Sequence, residues 1–375
     1  MANAEARGSR VGVGIIGAGN VLWAYLQVLD RLIPRGLAWE GPICARRRDT
    51  WSAIIDRRPH ADLVPDHEQV LASDVSVVVI ITPPDSHADY ARAALEAGKH
   101  VVCEKPVGMS RAEAEPVFDL AASRGLRLLA APFVQLSPTF RELWTRVRDG
   151  EIGHVHSARG LYGNPGSTWA AWFHEGGVGP LAEAGVYNLK SLTALIGPVT
   201  EVFAADAVAV PVREAEGRRI EHPDPDVSHV ILRHADGALS SVTSGQAVQR
   251  YRRPGLELYG TEGTANLLGD DWDPTGLEIW RNRDAAWTSI DPIDATWLWA
   301  DGLREAVVAL TEGREPLTNA EHDLHLLDVI DAARVSATEN RPVRVTSGFG
   351  SLDLSVPLGA ARHHLHDHTR PADEQ

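Results

Sequence analysis

Two short turns in the N-terminal part of the chain combine residue types that could act together chemically. Thr82-Pro83-Pro84 comes at the end of the apolar, mostly β-branched run 75–82, and Glu104-Lys105-Pro106 directly follows the strand-like run 100–103. Such runs predict strands of a parallel sheet. Ligands bind beyond the carboxyl ends of the strands in open parallel sheets. The spacing therefore predicts one site that contains a carboxylate, a lysine and two proline turns.

A glycine-rich turn joins the first apolar run to the first helical pattern. Gly17 permits a tight turn, and Gly19 lets the backbone at Asn20 and Val21 approach a pyrophosphate on the helix N-terminus. Leu22 stands where the usual fingerprint has its third glycine, so the pattern is incomplete. The alternative is a strand-to-helix turn without a ligand. Its place at the start of a strand–helix series favours dinucleotide binding.

The tip of the second predicted strand bears on which nicotinamide cofactor is bound. A carboxylate there suits the adenosine ribose of NAD, whereas arginines suit the 2′-phosphate of NADP. Here Arg46 and Arg47 precede the first carboxylate, Asp49. We therefore expect NADP to be preferred over NAD. The alternative is a solvated basic loop without a ligand.

Strand and helix patterns alternate in the first part of the chain, which predicts a doubly wound parallel α/β sheet, the Rossmann type, over residues 1–131. The predicted strands are 11–16, 43–45, 75–82, 100–103 and 126–131, and the predicted helices are 21–32, 50–58, 86–97 and 111–124.

Consecutive strand patterns without intervening helices follow, and they predict an antiparallel sheet. We expect an α+β domain at 132–350, built on a large, open, mainly antiparallel sheet, and a C-terminal tail at 351–375. The predicted strands are 155–162, 200–210, 227–234, 239–246, 256–259 and 277–280, and helices at 181–195, 297–312 and 319–339 would cover one face.

The two turns lie within segments 82–87 and 97–106, which resemble the glucose–fructose oxidoreductase / inositol dehydrogenase / rhizopine catabolism family. Segments 260–264 and 301–345 are also similar to it, so the resemblance covers nearly the whole chain. It implies an NAD(P)-dependent oxidoreductase that transfers hydride between nicotinamide and an alcohol or carbonyl carbon of a sugar, polyol or related compound. It also implies homodimers or homotetramers, because the second sheet has a free face.

The resemblance gives roles to individual residues in the two turns. It implies that Thr82, Pro83 and His87 bind the cofactor, that Glu104 and Lys105 flank the nicotinamide, and that the peptide bond after Lys105 is cis. Lys105 would then orient the substrate hydroxyl and relay its proton. The alternative for Lys105 is an ordinary strand-end lysine in a surface ion pair.

The family usually carries Asp-x-x-x-His on a helix over the nicotinamide, and Glu183 and Tyr187 occupy the matching positions. Residues four apart share a helical face, so we expect both side chains, and the adjacent Asn188, at the substrate. Tyrosine here resembles the glucose–fructose oxidoreductase and dihydrodiol dehydrogenase branches, which implies that Tyr187 is the acid/base and puts an inositol-type enzyme in doubt. Beside Lys105 and a nicotinamide cation its pKa would be lowered. The alternative is that Tyr187 only packs.

Aromatic and histidine-rich segments suggest further sites. Trp169 and Trp172 lie in a glycine-rich loop before this helix, and we expect them to stack on a sugar ring; the alternative is burial in the core. Four histidines between positions 363 and 368 suggest a metal site, but a solvated tail is favoured. No catalytic metal is expected, because the cofactor takes the hydride.

Composition excludes several classes of partner. The formal net charge of −15 excludes a general affinity for nucleic acid or anionic membranes. No apolar stretch reaches the length of about 18 residues that a membrane span needs, and the first ten residues do not resemble a signal peptide. The only two cysteines, Cys44 and Cys103, lie in apolar runs. We therefore expect reduced core thiols in a cytoplasmic protein.

Two other functions are compatible with the same fold. One is a catalytically inactive sensor that binds NAD(P) and a sugar; the replaced pair Glu183/Tyr187 favours it slightly, and the intact Lys105 disfavours it. The other is a lyase or glycosidase that oxidises its substrate transiently with tightly held NAD. Stoichiometric consumption of free cofactor would distinguish a dehydrogenase from both.

Overall fold

The computed structural model describes residues 10–174, 178–221, 224–252 and 254–357. The histidines between positions 363 and 368 and most of the predicted tail lie outside the described residues. Within these ranges the chain forms a six-stranded sheet, a nine-stranded sheet and a separate two-stranded hairpin. The predicted fold class, a Rossmann sheet followed by an α+β domain, is confirmed.

The N-terminal sheet consists of β1 (Val11–Ile16), β2 (Ala38–Cys44), β3 (Leu63–Val64), β4 (Val77–Ile80), β5 (His100–Cys103) and β6 (Leu128–Ala130). All pairs are parallel, in the order β3-β2-β1-β4-β5-β6. Because helices cover both faces, β1 and β4 are buried along their whole length, which explains their unbroken apolar sequences. The strand order reverses between β1 and β4, and a ligand crevice forms there in such sheets.

Five helices belong to this sheet: α1 (Leu22–Leu32), α2 (Trp51–Ile55), α3 (His67–Leu71), α4 (His87–Glu96) and α5 (Arg111–Ser123). Four of them lie where the sequence patterns predicted helices, although α2 is shorter than the predicted 50–58. Neither β3 nor α3 was predicted, because segments of two and five residues are too short for a periodic signal.

The second sheet consists of β7 (Val155–Gly163), β8 (Val199–Ala207), β11 (Val227–His234), β12 (Leu239–Gly245), β13 (Leu256–Gly260), β14 (Gly263–Asp270), β15 (Asp273–Arg281), β16 (Ala286–Ile290) and β17 (Val343–Arg344). Its order is β16-β15-β14-β13-β7-β12-β11-β8-β17. All described pairs are antiparallel except β7 with β12. The separate hairpin pairs β9 (Val212–Ala215) with β10 (Arg218–Glu221).

Four further helices follow: α6 (Pro138–Arg148), α7 (Val186–Ile196), α8 (Gly302–Glu312) and α9 (Ala320–Glu339). Apolar residues of α6, α7 and α9 share one core with the inner face of the nine-stranded sheet. On the other face, Phe203 and Ile231 are 37% and 52% exposed. This confirms the predicted sheet with one free face.

Helix α8 lies within the predicted second domain but packs on the sheet of the first. Leu303, Ala306 and Val307 are buried in the core of the Rossmann sheet together with α1, not in the core of the second sheet. Segment 132–350 therefore does not pack as one unit, because α8 packs with the first domain and not with the rest of the segment. Sequence periodicity identifies a helix but does not show which sheet the helix covers.

Other expectations can be compared directly with the structure. Cys44 and Cys103 are both buried free thiols, and the peptide bond between Lys105 and Pro106 is cis, as predicted. No helix in the described ranges is long and apolar enough to cross a membrane. The same part of the chain contains no group of three His, Cys, Asp or Glu side chains that could hold a metal ion.

Candidate active site

The two turns singled out in the sequence lie side by side at the carboxyl ends of β4 and β5. The ring of His87 lies between them, with Nε2 2.8 Å from the carbonyl oxygen of Thr82 and Nδ1 2.8 Å from that of Pro106. His87 is 1% exposed, and burial lowers its pKa, so the neutral ring donates to one carbonyl at a time. His87 therefore positions the two turns, and it has almost no open surface for the predicted cofactor contact.

The glycine turn between β1 and α1 has room for a pyrophosphate on its outer side. Gly17 has a φ of 114°, and an added Cβ would lie 2.7 Å from the carbonyl oxygen of Ile81, so only glycine fits. An added Cβ on Gly19 would meet no atom within 4 Å. Leu22, in place of the third glycine, is 1% exposed and packs in the core. The incomplete fingerprint therefore reflects packing beneath the turn, and the ligand side stays open.

The first turn of α1 also fits an anion. Val21 at the N-cap makes no side-chain hydrogen bond, and the first turn carries no acidic residue. Amide groups left unpaired at a helix N-terminus bind phosphate groups. Asn20 is exposed beside them. The residues present thus fit a dinucleotide at the predicted position.

Arg46 and Arg47 follow β2 and are exposed. Nε of Arg47 lies 3.9 Å from Oδ1 of Asp49, and the two side chains are 72% and 74% exposed. An ion pair this exposed is weak, so Arg47 stays able to bind a phosphate group. The tip of β2 thus offers two guanidinium groups beside the central strand of the sheet.

Glu104 is held by a tyrosine of α1. The hydroxyl of Tyr25 donates to Oε1 of Glu104 at 2.7 Å, and the backbone N–H of Lys105 donates to Oε2 at 3.2 Å. Burial and the charge of Glu104 raise the pKa of Tyr25 well above 10, so the phenol keeps the proton that it donates. The sequence analysis missed Tyr25. The available signal was a tyrosine on the apolar face of a buried helix, because such a hydroxyl needs a partner.

Glu183 lies in a π-helix, Leu181–Gly185, that leads directly into α7. The sequence predicted a regular helix here, and the wider turn corrects that prediction. Gly185 lets the turn approach β12 closely, because an added Cβ would lie 2.9 Å from Oγ of Ser244. Single π-turns are frequent at functional sites.

Lys105 connects the Rossmann domain to this π-helix. Its Nζ lies 2.7 Å from Oε1 of Glu183, and it also donates to the carbonyl oxygen of Glu183 at 2.7 Å. The same ammonium lies 5.5 Å from the centre of the Tyr187 ring, within the range of a cation–π contact. Lys105 is 8% exposed, so its ion pair is not a surface pair. The structure thus brings together the three predicted catalytic residues.

The protein groups around Tyr187 disfavour its phenolate. Burial raises the pKa of Tyr187 well above 10, and Glu104, Glu183 and Tyr162 raise it further. The lowering predicted from the sequence assumes a bound nicotinamide cation, so it stays a prediction. Burial also raises the pKa of Glu183, although Lys105 acts against that shift. Tyr187 therefore keeps its proton at neutral pH in the resting site.

Asn188 lies apart from the predicted substrate contacts. Its side chain is 1% exposed, and Nδ2 donates to the carbonyl oxygen of Gly255 at 3.3 Å and to Oδ2 of Asp271 at 3.2 Å. These bonds anchor α7 to the residue before β13 and to the turn between β14 and β15. We therefore assign Asn188 to positioning the helix of Tyr187, in place of the predicted substrate contact.

Trp169 and Trp172 lie on the loop after β7. The ring of Trp172 stacks on Phe173 at 4.0 Å, and Trp169 meets the edge of Phe173 at 5.3 Å. Trp169 is 51% exposed, which contradicts core burial for that residue. Among the described residues, the aromatic partner of Tyr187 is instead Tyr162. The structure therefore does not bring the two tryptophans to Tyr187.

Tyr162 borders the site and was missed in the sequence. Its ring meets the edge of Tyr187 at 5.9 Å and that of Trp272 at 6.4 Å. Burial, Asp270 and Glu183 raise the pKa of Tyr162 to about 12. These neighbours come from distant segments, and the position of Tyr162 near the end of a predicted strand was the one signal available.

The sequence was then compared with known protein families. Residues 11–131 match the oxidoreductase family with an NAD-binding Rossmann fold, GFO_IDH_MocA, and residues 140–266 match the GFO/IDH/MocA C-terminal domain. Together these matches cover more than half of the chain. The chain belongs to this family. The resemblance noted in the sequence is therefore confirmed, and the chain is an NAD-binding oxidoreductase.

Individual relatives agree with this assignment. The chain is 29% identical over 327 residues to dTDP-3,4-didehydro-2,6-dideoxy-α-D-glucose 3-reductase of Streptomyces antibioticus, covering 84% of this chain and 93% of the relative. It is 27% identical over 270 residues to trans-1,2-dihydrobenzene-1,2-diol dehydrogenase of Bos taurus, covering 71% and 76%. The solved structure of levoglucosan dehydrogenase with NADH and levoglucosan shares the fold, with a TM-score of 0.79 at 22% identity over 90% of this chain and 100% of that chain.

Compared with the wild-type protein, the Asp271→Asn variant is expected to gain more stability at neutral than at acidic pH. Burial raises the pKa of Asp271 from 3.8 to about 6, so the folded state keeps a proton that the unfolded state loses between these values. Wild-type stability therefore falls as pH rises through this window, by at most about 3 kcal/mol. An asparagine at position 271 does not titrate, and its side-chain oxygen can still accept the hydrogen bond from Nδ2 of Asn188. The measurement is Tm of both proteins from about pH 4 to about pH 7.

The matched control is Asp119→Asn, an exposed carboxylate of α5. Its Tm difference from wild type should stay nearly constant over the same pH range. A constant difference for Asp271→Asn as well would show that Asp271 does not titrate in this window.

Proposed function

We propose that the chain transfers hydride between a nicotinamide cofactor and an alcohol or carbonyl carbon of a sugar or polyol. The observation that carries the proposal is the buried contact of Lys105 with Glu183 and Tyr187 at the carboxyl ends of the Rossmann strands. Relatives named as a deoxysugar 3-reductase and a dihydrodiol dehydrogenase support the substrate class. The intact group of three residues favours an enzyme over an inactive sensor.

Each side chain has a distinct part in this proposal. A bound nicotinamide cofactor accepts or supplies the hydride. The turn at Gly17 and Gly19 binds its diphosphate. Lys105 places a positive charge at the substrate oxygen, where negative charge develops as hydride is transferred. Glu183 fixes the direction of the ammonium through its two oxygen contacts.

Tyr187 handles the proton. In carbonyl reduction the phenol donates its proton to the substrate oxygen, and in oxidation the phenolate would have to accept one. Burial, Glu104 and Glu183 keep the phenol protonated at neutral pH. We therefore infer that the phenol carries its proton before carbonyl reduction at neutral pH, and that oxidation, which needs the phenolate, requires a more alkaline solution.

Lys105→Ala is expected to lower kcat/KM at least about a hundredfold while the dissociation constant of the cofactor changes little. The reason is that the variant loses the charge at the reacting oxygen, whereas the glycine turn is unaltered. The measurement is nicotinamide absorbance over a panel of sugars and polyols, with cofactor binding measured separately. Lys99→Ala, at the other end of β5, is the control and should keep wild-type activity. Near wild-type kcat in Lys105→Ala would rule out the role.

Tyr187→Phe is expected to lower kcat for carbonyl reduction about a hundredfold or more, with a smaller change in KM, because only the proton donor is removed. Wild-type reduction should persist to alkaline pH, since the raised pKa keeps the phenol protonated. The pH dependence of kcat for both proteins tests this. Tyr90→Phe, on α4, is the control. Unchanged kcat/KM in Tyr187→Phe would mean that the ring only packs.

We also propose that NADP is preferred over NAD, on the basis of the exposed guanidinium groups of Arg46 and Arg47 at the tip of β2. Exposed apolar residues on the free sheet face, Phe203 and Ile231 among them, support the expected homodimer or homotetramer.

Replacing both Arg46 and Arg47 with Ala is expected to weaken NADPH binding more than about tenfold and to leave NADH binding nearly unchanged. Only NADPH carries the 2′-phosphate that these side chains would bind. The dissociation constants of both cofactors, measured by fluorescence titration, test this. Arg92→Ala, an exposed arginine of α4, should affect neither cofactor. Tighter binding of NADH than of NADPH by the wild-type protein would contradict the preference.

A further inference from the structure

The candidate site continues beyond Tyr187 into residues that the proposed reaction does not use. Tyr162 of β7 contacts Trp272, which follows β14, and Asp270 ends β14 beside it. Tyr251, from the segment between β12 and β13, donates its hydroxyl to Oδ1 of Asp270. We call these four residues the acidic–aromatic wall. They bring together three segments that are distant in the sequence.

Asp270 is the charged member of this wall. The carboxylate is half-buried, and in the described ranges no side chain or backbone group donates to its second oxygen, Oδ2. Its charge acts on Tyr162. Burial, Asp270 and Glu183 together raise the pKa of Tyr162 to about 12. The ring of Tyr162 contacts both Tyr187 and Trp272, so the segment of Asp270 adjoins the residues around Lys105.

The described charges around this site are mainly negative. Glu104, Glu183 and Asp270 are carboxylates, and the ammonium of Lys105 is already paired with Glu183. An anionic group entering beside Asp270 would meet repulsion in a partly buried environment, where charges interact more strongly than in water. A neutral hydroxyl would instead donate to a carboxylate, which is among the stronger protein hydrogen bonds.

Two arginines lie next to a residue of the wall in the sequence. Arg250 and Arg252 flank Tyr251 and are exposed. The neighbouring charges that raise the pKa values of Asp270 and Tyr162 are carboxylates. Because both guanidinium groups are exposed, solvent screens their charge more than it screens the charge of the half-buried Asp270.

We propose that the acidic–aromatic wall selects an uncharged, polyhydroxylated ring and rejects substrates that carry a phosphate or carboxylate group. This rests on the proposed function, because it names the substrate class of the same site. Oδ2 of Asp270 accepts a hydrogen bond from a ring hydroxyl, and Tyr162 and Trp272 contact the ring's apolar surface. The wall thus distinguishes free sugars and polyols from sugar phosphates and sugar acids, and in this respect it would set the chain apart from the relative named as a reductase of a dTDP-linked sugar.

The test compares matched neutral and anionic compounds with the full-length protein and NADP or NAD. D-glucose is paired with glucose 6-phosphate and D-glucuronate, and each other neutral sugar or polyol that is turned over is paired with its phosphate. We expect kcat/KM for the neutral member to exceed that of the anion at least about tenfold. Asp270→Asn should lower kcat/KM for the neutral member about tenfold and reduce the discrimination. Asp284→Asn, an exposed carboxylate beyond the other end of β15, is the charge-matched control and should change neither value.

Equal or higher kcat/KM for the anionic members would overturn the proposal. If no member is turned over with either cofactor, the proposed function fails for these compounds, and calorimetry on the cofactor-loaded protein then decides the charge preference. Tighter binding of glucose than of glucose 6-phosphate would support the wall; the reverse, or no binding of either, would overturn it. If Asp270→Asn does not fold, Tyr251→Phe removes the hydrogen bond that holds Asp270 and should reduce the discrimination in the same direction.

Discussion

The ammonium of Lys105 is held by two oxygen atoms of one residue, Glu183, which lies 78 positions further along the chain. Burying two charges costs several kcal/mol per ion, and their attraction offsets this only when the geometry is good and hydrogen bonds are satisfied. Contacts of 2.7 Å to the carboxylate and to the carbonyl oxygen meet that requirement. The pair is therefore sensitive to the position of both domains, and the rest of the site is arranged around it.

Three other contacts fix that position without touching the ammonium. His87 lies between the two proline turns, so the start of α4 cannot shift without moving the peptide after Lys105. Tyr25 holds Glu104 from α1. On the other side, Asn188 ties α7 to the turn after β14. Each is a buried polar group that has a hydrogen-bond partner, and together they limit the ways in which Lys105 can meet the π-helix.

Local signals predicted the fold and identified residues that the structure brings together, since a β-branched run, a glycine turn and a Glu-Lys-Pro segment are recognised within a few residues. Contacts across the molecule could not be predicted in this way. Helix α8 was recognised as a helix, but its packing on the Rossmann sheet depends on long-range topology. The upward effect of the protein groups on the pKa of Tyr187 was not predicted, because Glu104 and Tyr162, which add to the effect of burial, come from other segments. For the same reason Tyr25 was missed.

The negative charge of the site links the proton step to substrate choice. A single ammonium cannot neutralise Glu104, Glu183 and Asp270, and burial amplifies the imbalance because the carboxylates have lost most of their water. An excess of negative charge keeps the phenol of Tyr187 protonated and at the same time makes an anionic substrate costly to bind. A neutral hydroxylated ring avoids that cost and supplies the hydroxyl donors that carboxylates accept. Glu104 and Glu183 thus act on the proton of Tyr187, and Asp270 extends the same negative charge to the substrate in the proposed preference for an uncharged ring.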